Sequence, residues 1–240
     1  MQLATRLIML LRPVRGTIVR KETIFWDVDT QYDLMRPEGR LYVPGAEGII
    51  DNVNKARRFA LENGYPIIAI VDWHQDGNPE ISNTPDFKNT FPPHCMAGTP
   101  GSKRVGWLGN LPIGLVPNKP MSDTDLHKLL DKEQFHIAII KEDLDVFTNP
   151  NTSTILEILK PRSFVVFGVS LDFCLRMVVE GLLKMGGMKL YLLRDAVKGL
   201  GIKPENDILE EFKNKGVEIM PLAQLQRKLG CGSTKLTTGG

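Results

Sequence analysis

The 240-residue sequence predicts an α/β fold, a three-layer doubly wound arrangement built on a mostly parallel sheet of roughly six strands. Three observations carry this expectation. Short apolar runs alternate with longer segments of helical periodicity along the whole chain. The runs are apolar from end to end rather than at every second residue, as strands covered on both faces require. Parallel strands joined by right-handed crossovers then place the intervening helices on both faces of one sheet.

Each element follows from its own segment. Residues 23–29 (TIFWDVD) are β-like, and 47–63 set Ile49, Ile50, Val53, Ala56, Phe59 and Ala60 at helical spacing before Gly64 stops the helix. Residues 66–72 (PIIAIVD) are a second strand, and the long stretch 73–121, rich in Pro, Gly, Asn and Asp, reads as irregular. A helix is expected near 123–132, a strand at 136–141 (HIAIIK), a short helix at 152–159 and a strand at 163–169 (SFVVFGV). A helix from about 172 to 184, a strand at 188–194, a helix near 205–215 and a strand at 217–220 complete the pattern. No linker interrupts it, so 23–229 is read as one domain, with 1–22 a basic N-terminal extension and 230–240 a Gly/Thr-rich flexible tail.

Composition narrows the function. Thirty Lys and Arg against 28 Asp and Glu, 42% hydrophobic residues and 7% aromatic ones describe an ordinary globular protein. That balance argues against nucleic acid as a partner, and no apolar run approaches the roughly 20 residues of a membrane span. Cys95, Cys174 and Cys231 cannot make a disulfide framework, which fits a reducing, cytoplasmic setting. Arg6, Arg12, Arg15, Arg20 and Lys21 fall in the first 21 residues with no acid among them. A mitochondrial leader is the alternative for this segment, and a basic extension is the preferred reading.

In a doubly wound sheet, chemistry gathers beyond the carboxyl ends of the strands. Strand by strand, those exits carry Asp29, then Asp72 with His74, then Lys141, then Gly168-Val-Ser-Leu-Asp-Phe-Cys174 at the head of a helix. A thiol in the first helical turn sits near the positive end of the macrodipole, which favours thiolate. The same position equally suits a small buried hydrophobe, the usual fate of a free cysteine. Cys95, beside His94, is a rival nucleophile without a helix behind it. No histidine faces Cys174 in the pattern, which leaves a carboxylate and Lys141 as its partners. Asp27, Asp29 and Asp33 are all available, alternation puts Asp27 and Asp29 on one side of the strand, and periodicity does not choose among the three. Asp72, His74, Glu80 and His94 gather imidazole and carboxylate, a donor set for one divalent ion, Zn, Fe or Mn. A hydrogen-bonded polar loop would use the same residues. His127 and His136 have no such company and are read as structural or solvated.

These residues resemble a known family. Asp29-Thr-Gln-Tyr-Asp33-Leu34 is similar to the Asp-x-Gln-x-Asp-Phe motif of the isochorismatase-like cysteine hydrolases, and Leu41-Tyr-Val-Pro-Gly45 to the stretch that follows it. Asp72-Trp-His74 and Phe91-Pro-Pro-His94 through Gly101 resemble the metal-binding segments of the nicotinamidase/pyrazinamidase branch. Gly168 to Cys174 resembles the nucleophile motif. The resemblance implies Asp29 as general acid/base, Lys141 as its charged partner and Cys174 as nucleophile. It further implies a cis peptide between Val169 and Ser170 that turns the Ser170 and Cys174 N–H groups towards an oxyanion, and a metal held by Asp72, His74, Glu80 and His94. The implied reaction is hydrolysis of nicotinamide to nicotinate and ammonia through a cysteine thioester, a step of pyridine nucleotide salvage.

Four departures bear on the substrate. Glu80 stands where many members have histidine, Leu34 where Phe is usual and Phe91 where Trp is usual. Asp145-Val-Phe-Thr-Asn-Pro150 follows the family only loosely. Two further readings therefore stand beside the first: an amidase or ureide hydrolase acting on a non-pyridine substrate, and a catalytically silent metal-binding scaffold. The expected partner is a small amide, and assembly as a homo-oligomer is left open.

Overall fold

The computed structural model describes residues 22–106, 113–131 and 135–230. The basic extension up to residue 21, the tail from 231 with Cys231, and the expected end of the helix at 132 lie outside the described residues.

Seven strands form one all-parallel sheet among the described residues. They are β1 (Thr23–Val28), β2 (Ile67–Asp72), β3 (Gly114–Val116), β4 (His136–Lys141), β5 (Ser163–Val169), β6 (Lys189–Lys198) and β7 (Glu218–Met220). Their spatial order is β3-β4-β2-β1-β5-β6-β7. The seventh strand is β3, which lies inside the stretch expected to be irregular. Its three residues pair with Ile137–Ile139 along β4, too short a run to show any period in sequence.

Helices cover both faces. On one side α3 (Asp123–Leu130), α4 (Thr152–Leu159), α5 (Cys174–Met185) and α6 (Glu205–Asn214) bury Leu126, Ile155, Val178 and Phe212 against Trp26, Ile68, Ile139 and Val166. On the other, α2 (Ile50–Glu62) and α7 (Leu222–Gly230) bury Val53, Ala56 and Leu225 against Phe25, Ile67 and Phe167. Neither α7 nor the four-residue α1 (Tyr32–Met35) was foreseen. Asp195 fixes the start of α7 by accepting the Leu222 N–H at 2.9 Å. That bond reaches back to β6, which runs four residues beyond the expected Arg194, through a register irregularity opposite Val166 and Gly168. The charged pair Arg194-Asp195 breaks the apolar run, so hydrophobicity alone ends the strand too early.

The order of the strands fixes where ligands can go. The chain leaves β1 towards β2 on one side and later returns to β5 on the other, opening a crevice at the carboxyl ends of the central strands. At β5 the two backbones approach so closely that a Cβ on Gly168 (φ +118°) would fall 2.0 Å from the Val28 carbonyl oxygen. Only glycine fits there.

Candidate active site

Asp29, Asp72, Lys141 and Cys174 meet at this crevice. Lys141 is the last residue of β4 and is 1% exposed. Its Nζ lies 3.2 Å from Asp29 Oδ2 and 3.4 Å from Cys174 Sγ, and it also bonds the Asp72 carboxylate. Cys174 is the first residue of α5, directly after the loop that follows β5. The peptide between Val169 and Ser170 is cis, and the Ser170 carbonyl accepts the Phe173 and Leu175 N–H groups at 3.2 and 3.0 Å.

The three neighbouring carboxylates have separate environments. Asp27 faces the buried Arg57, whose Nε donates to it at 2.8 Å, and it also accepts from Arg104 and Thr30. Burial works to raise its pKa, but the two guanidinium groups hold it below the usual range. Asp33 accepts the Cys95 N–H at 2.8 Å and the Arg40 N–H at 3.2 Å, tying two loops together. Asp29 has left the strand with φ +46°, so the alternation that put Asp27 and Asp29 on one side no longer applies. It alone of the three reaches Lys141.

Electrostatics corrects the expectation for the thiol. Burial pushes Cys174 well above the usual thiol value, and Lys141 opposes this only in part. Desolvation at the helix start therefore favours the neutral thiol. Asp29 is raised to about 7, by burial first and the Asp72 charge second, against the pull of Lys141. Burial would lower Lys141, yet Asp29 and Asp72 hold it charged, well above its usual value. Asp72 stays below the carboxylate range despite burial, because Lys141 and His94 favour its charge. The cluster thus pairs a permanent ammonium with a carboxylate poised near neutrality and a protonated thiol.

Beside it, Asp72, His74 and His94 each turn a ligating atom into one buried group, all within 4.8 Å of one another. His94 Nδ1 lies 2.8 Å from the Pro92 carbonyl, which orients the ring so that Nε2 faces the Asp72 carboxylate at 3.7 Å; against burial, that carboxylate raises the imidazole pKa. Both ring nitrogens of His74 are buried with no hydrogen-bond partner. Burial lowers the His74 pKa to about 4, so the ring is neutral and its lone pair is available. Orphaned imidazole nitrogens beside a carboxylate fit a divalent cation, and the group resembles a metal site. Glu80 lines the same cavity without joining that three-residue group; its Oε2 is unpartnered and burial raises its pKa to about 7.

Other residues placed here left weaker signals in sequence. Gln31 donates to the Asp72 and Ser102 carbonyls at 2.8 and 2.9 Å and accepts the Asp72 N–H at 2.8 Å, stapling β2 to the loop after β1. Leu34 and Phe91, expected in the pocket, are both buried on its wall. Phe173 was missed; its ring meets Phe91 edge-on at 5.4 Å and adds aromatic surface to the pocket wall. Its position directly before Cys174 is the signal that could have found it. Cys95 packs in the core cluster with α2, its thiol buried like that of Cys174; the contact with Lys141 is made by Cys174. His127 is exposed on α3, and His136 is half-buried at the start of β4.

The chain is similar to several known proteins. The chain is 26% identical to a nicotinamidase/pyrazinamidase of Mycobacterium tuberculosis over 210 residues, 80% of this chain and 95% of that protein. The structure of a Pyrococcus horikoshii pyrazinamidase in complex with zinc superposes with a TM-score of 0.64 at 29% identity, covering 84% of this chain and 99% of that one. An N-carbamoylsarcosine amidase from Thermoplasma acidophilum shares the fold, with a TM-score of 0.61 at 20% identity over 83% of this chain and 95% of that one. Residues 24–224 match the isochorismatase domain, from the first strand into the last helix, and the chain therefore belongs to the isochorismatase family of hydrolases.

Proposed function

We propose that this hydrolase cleaves a small carboxamide, with nicotinamide as the first substrate, through a thioester on Cys174. The observation that carries the reading is the convergence of Asp29, Lys141 and Cys174 in one buried cluster. Asp29 takes the thiol proton as sulfur attacks the carboxamide carbon, so thiolate forms only where substrate is present. The Lys141 ammonium balances the charge that moves between sulfur and carboxylate. The developing oxyanion is met by the Ser170 and Cys174 N–H groups, the latter lying in a first helical turn where no intrahelical carbonyl takes it. Asp29 then gives its proton to the departing amine, and ammonia leaves. Water loses a proton to Asp29 as it attacks the thioester, releasing the carboxylate product and restoring the thiol.

Asp72, His74 and His94, with Glu80 beside them, would hold one divalent ion, Zn, Fe or Mn. When bound it supplies a Lewis acid that orients a substrate donor atom. The second reading, a non-pyridine amide or ureide, is favoured by Leu34 on the pocket wall and by the extra carboxylate of Glu80. The intact Asp29, Lys141 and Cys174 cluster argues against a silent scaffold.

The test compares ammonia release from nicotinamide, pyrazinamide and small aliphatic amides. Cys174→Ala is expected to abolish release while keeping metal content near that of the wild type. Undiminished turnover in that variant would remove Cys174 as nucleophile.

A further inference from the structure

The space above Cys174 has two chambers of very different size. The inner cavity, lined by Cys174 and Asp72 among others, is narrow, about 20 Å³. Outside it opens a vestibule of about 430 Å³, within the range of small-molecule sites. The two share Leu41, Phe91, Phe173 and Leu200 as walls, so the vestibule adjoins the chamber that holds the thiol. Among the described residues Arg40 is the one charged side chain on its wall; the rest is aliphatic, aromatic or proline.

Its two lips are apolar and exposed, and the backbone of each is held by a carboxylate. Phe87 is 54% exposed and Ile202 is 68% exposed, both large apolar side chains facing solvent at the mouth of a catalytic pocket. The Asp86 carboxylate accepts the Lys88, Asn89 and Thr90 N–H groups at 2.8–2.9 Å, which locks the turn that presents Phe87 in a left-handed conformation (φ +55°). The Asp172 carboxylate accepts the Leu200, Gly201 and Ile202 N–H groups at 2.9–3.1 Å, which locks the opposite lip. Exposed apolar groups cost hydration and gain nothing for the free protein, whereas lips fixed in place bind an apolar ligand with little ordering penalty.

We infer that the vestibule is a substrate subsite for an apolar extension of the amide, gripped between Phe87 and Ile202. This rests on the amidase reading and deepens it: the carboxamide enters the narrow inner chamber, and the bulk of the substrate occupies the outer one. A cationic extension is disfavoured, because among the described residues Arg40 is the one charge on that wall.

The test measures kcat/KM of the metal-loaded enzyme for nicotinamide and for nicotinamides carrying a butyl group on the ring or on the amide nitrogen. At least one butyl derivative is expected to exceed nicotinamide by about tenfold or more, the scale of a few buried methylenes; which derivative gains tells which side of the amide faces the vestibule. Phe87→Ala and Ile202→Ala are expected to lower the butyl-to-unsubstituted ratio by about tenfold. A gain on butyl that either alanine variant leaves intact overturns the subsite. Turnover of nicotinamide with no gain on any butyl derivative overturns the subsite alone. Release from no amide at all overturns the amidase reading and the subsite with it.

Discussion

Gln31 offers the most demanding test of how the site is held. Replacing it by leucine keeps the volume and removes three buried hydrogen bonds, two to carbonyl oxygens and one from the Asp72 N–H. At about 1 kcal/mol net per bond the loss is about 3 kcal/mol, and leaving buried groups unpaired carries it towards about 6 kcal/mol. That is a large share of the roughly 5–15 kcal/mol by which such domains are stable. The effect also reaches the chemistry, because Asp72 ends β2 and its carboxylate faces Lys141, His74 and His94. A shift of Asp72 is expected to weaken metal binding by about 10–100-fold, the usual cost of losing a supporting contact. Urea unfolding of wild type and Gln31→Leu gives the stability change, and titration of the metal-stripped proteins gives the affinity. A loss below about 1 kcal/mol together with unchanged metal affinity would refute the claim that Gln31 staples the two strand exits.

Other outcomes follow from the same geometry. Asp29 must be ionised to accept the thiol proton, so with its pKa raised to about 7, kcat/KM is expected to fall about tenfold per unit as pH drops below that value. Asp29→Asn should remove that acid limb and lower kcat by about 10²–10⁴, and a surviving limb near 7 assigns it to another group. Arg57→Ala leaves the buried Asp27 without its 2.8 Å partner and is expected to destabilise the fold by about 3–5 kcal/mol in urea. Because Asp27 is depressed in the folded state, the stability it contributes is present above the unfolded value of about 3.8 and is lost as pH falls through the lower folded pKa. An ion at 100 times its Kd should add about 2.7 kcal/mol of stability, read as a rise in Tm, and His74→Ala should abolish most of that rise.

The sheet was legible in the sequence where its runs are long and apolar. Residues 136–141 and 163–169 are buried strands because their unbroken apolar runs, 137–140 and 164–169, with β-branched members suit nothing else as well. Residues 114–116 were not legible, since a three-residue edge strand exists only because β4 offers an unpaired edge to dock on. The helix at 222–230 depends likewise on Asp195, distant in sequence, to begin it.

The site divides along the same line. The sequence by itself determined which residue types stand at the strand exits, because alternating strands and helices bring consecutive exits to one rim. It left Asp27, Asp29 and Asp33 equivalent until the family resemblance favoured Asp29. Tertiary structure separated them physically, through the partners that each meets: Arg57 for Asp27, a loop amide for Asp33, and Lys141 for Asp29. It also decided the charge states. Whether Cys174 rests as thiol or thiolate depends on how much water and which charges surround it, and burial beside Lys141, Asp29 and Asp72 is a property of the packed molecule that no local pattern contains.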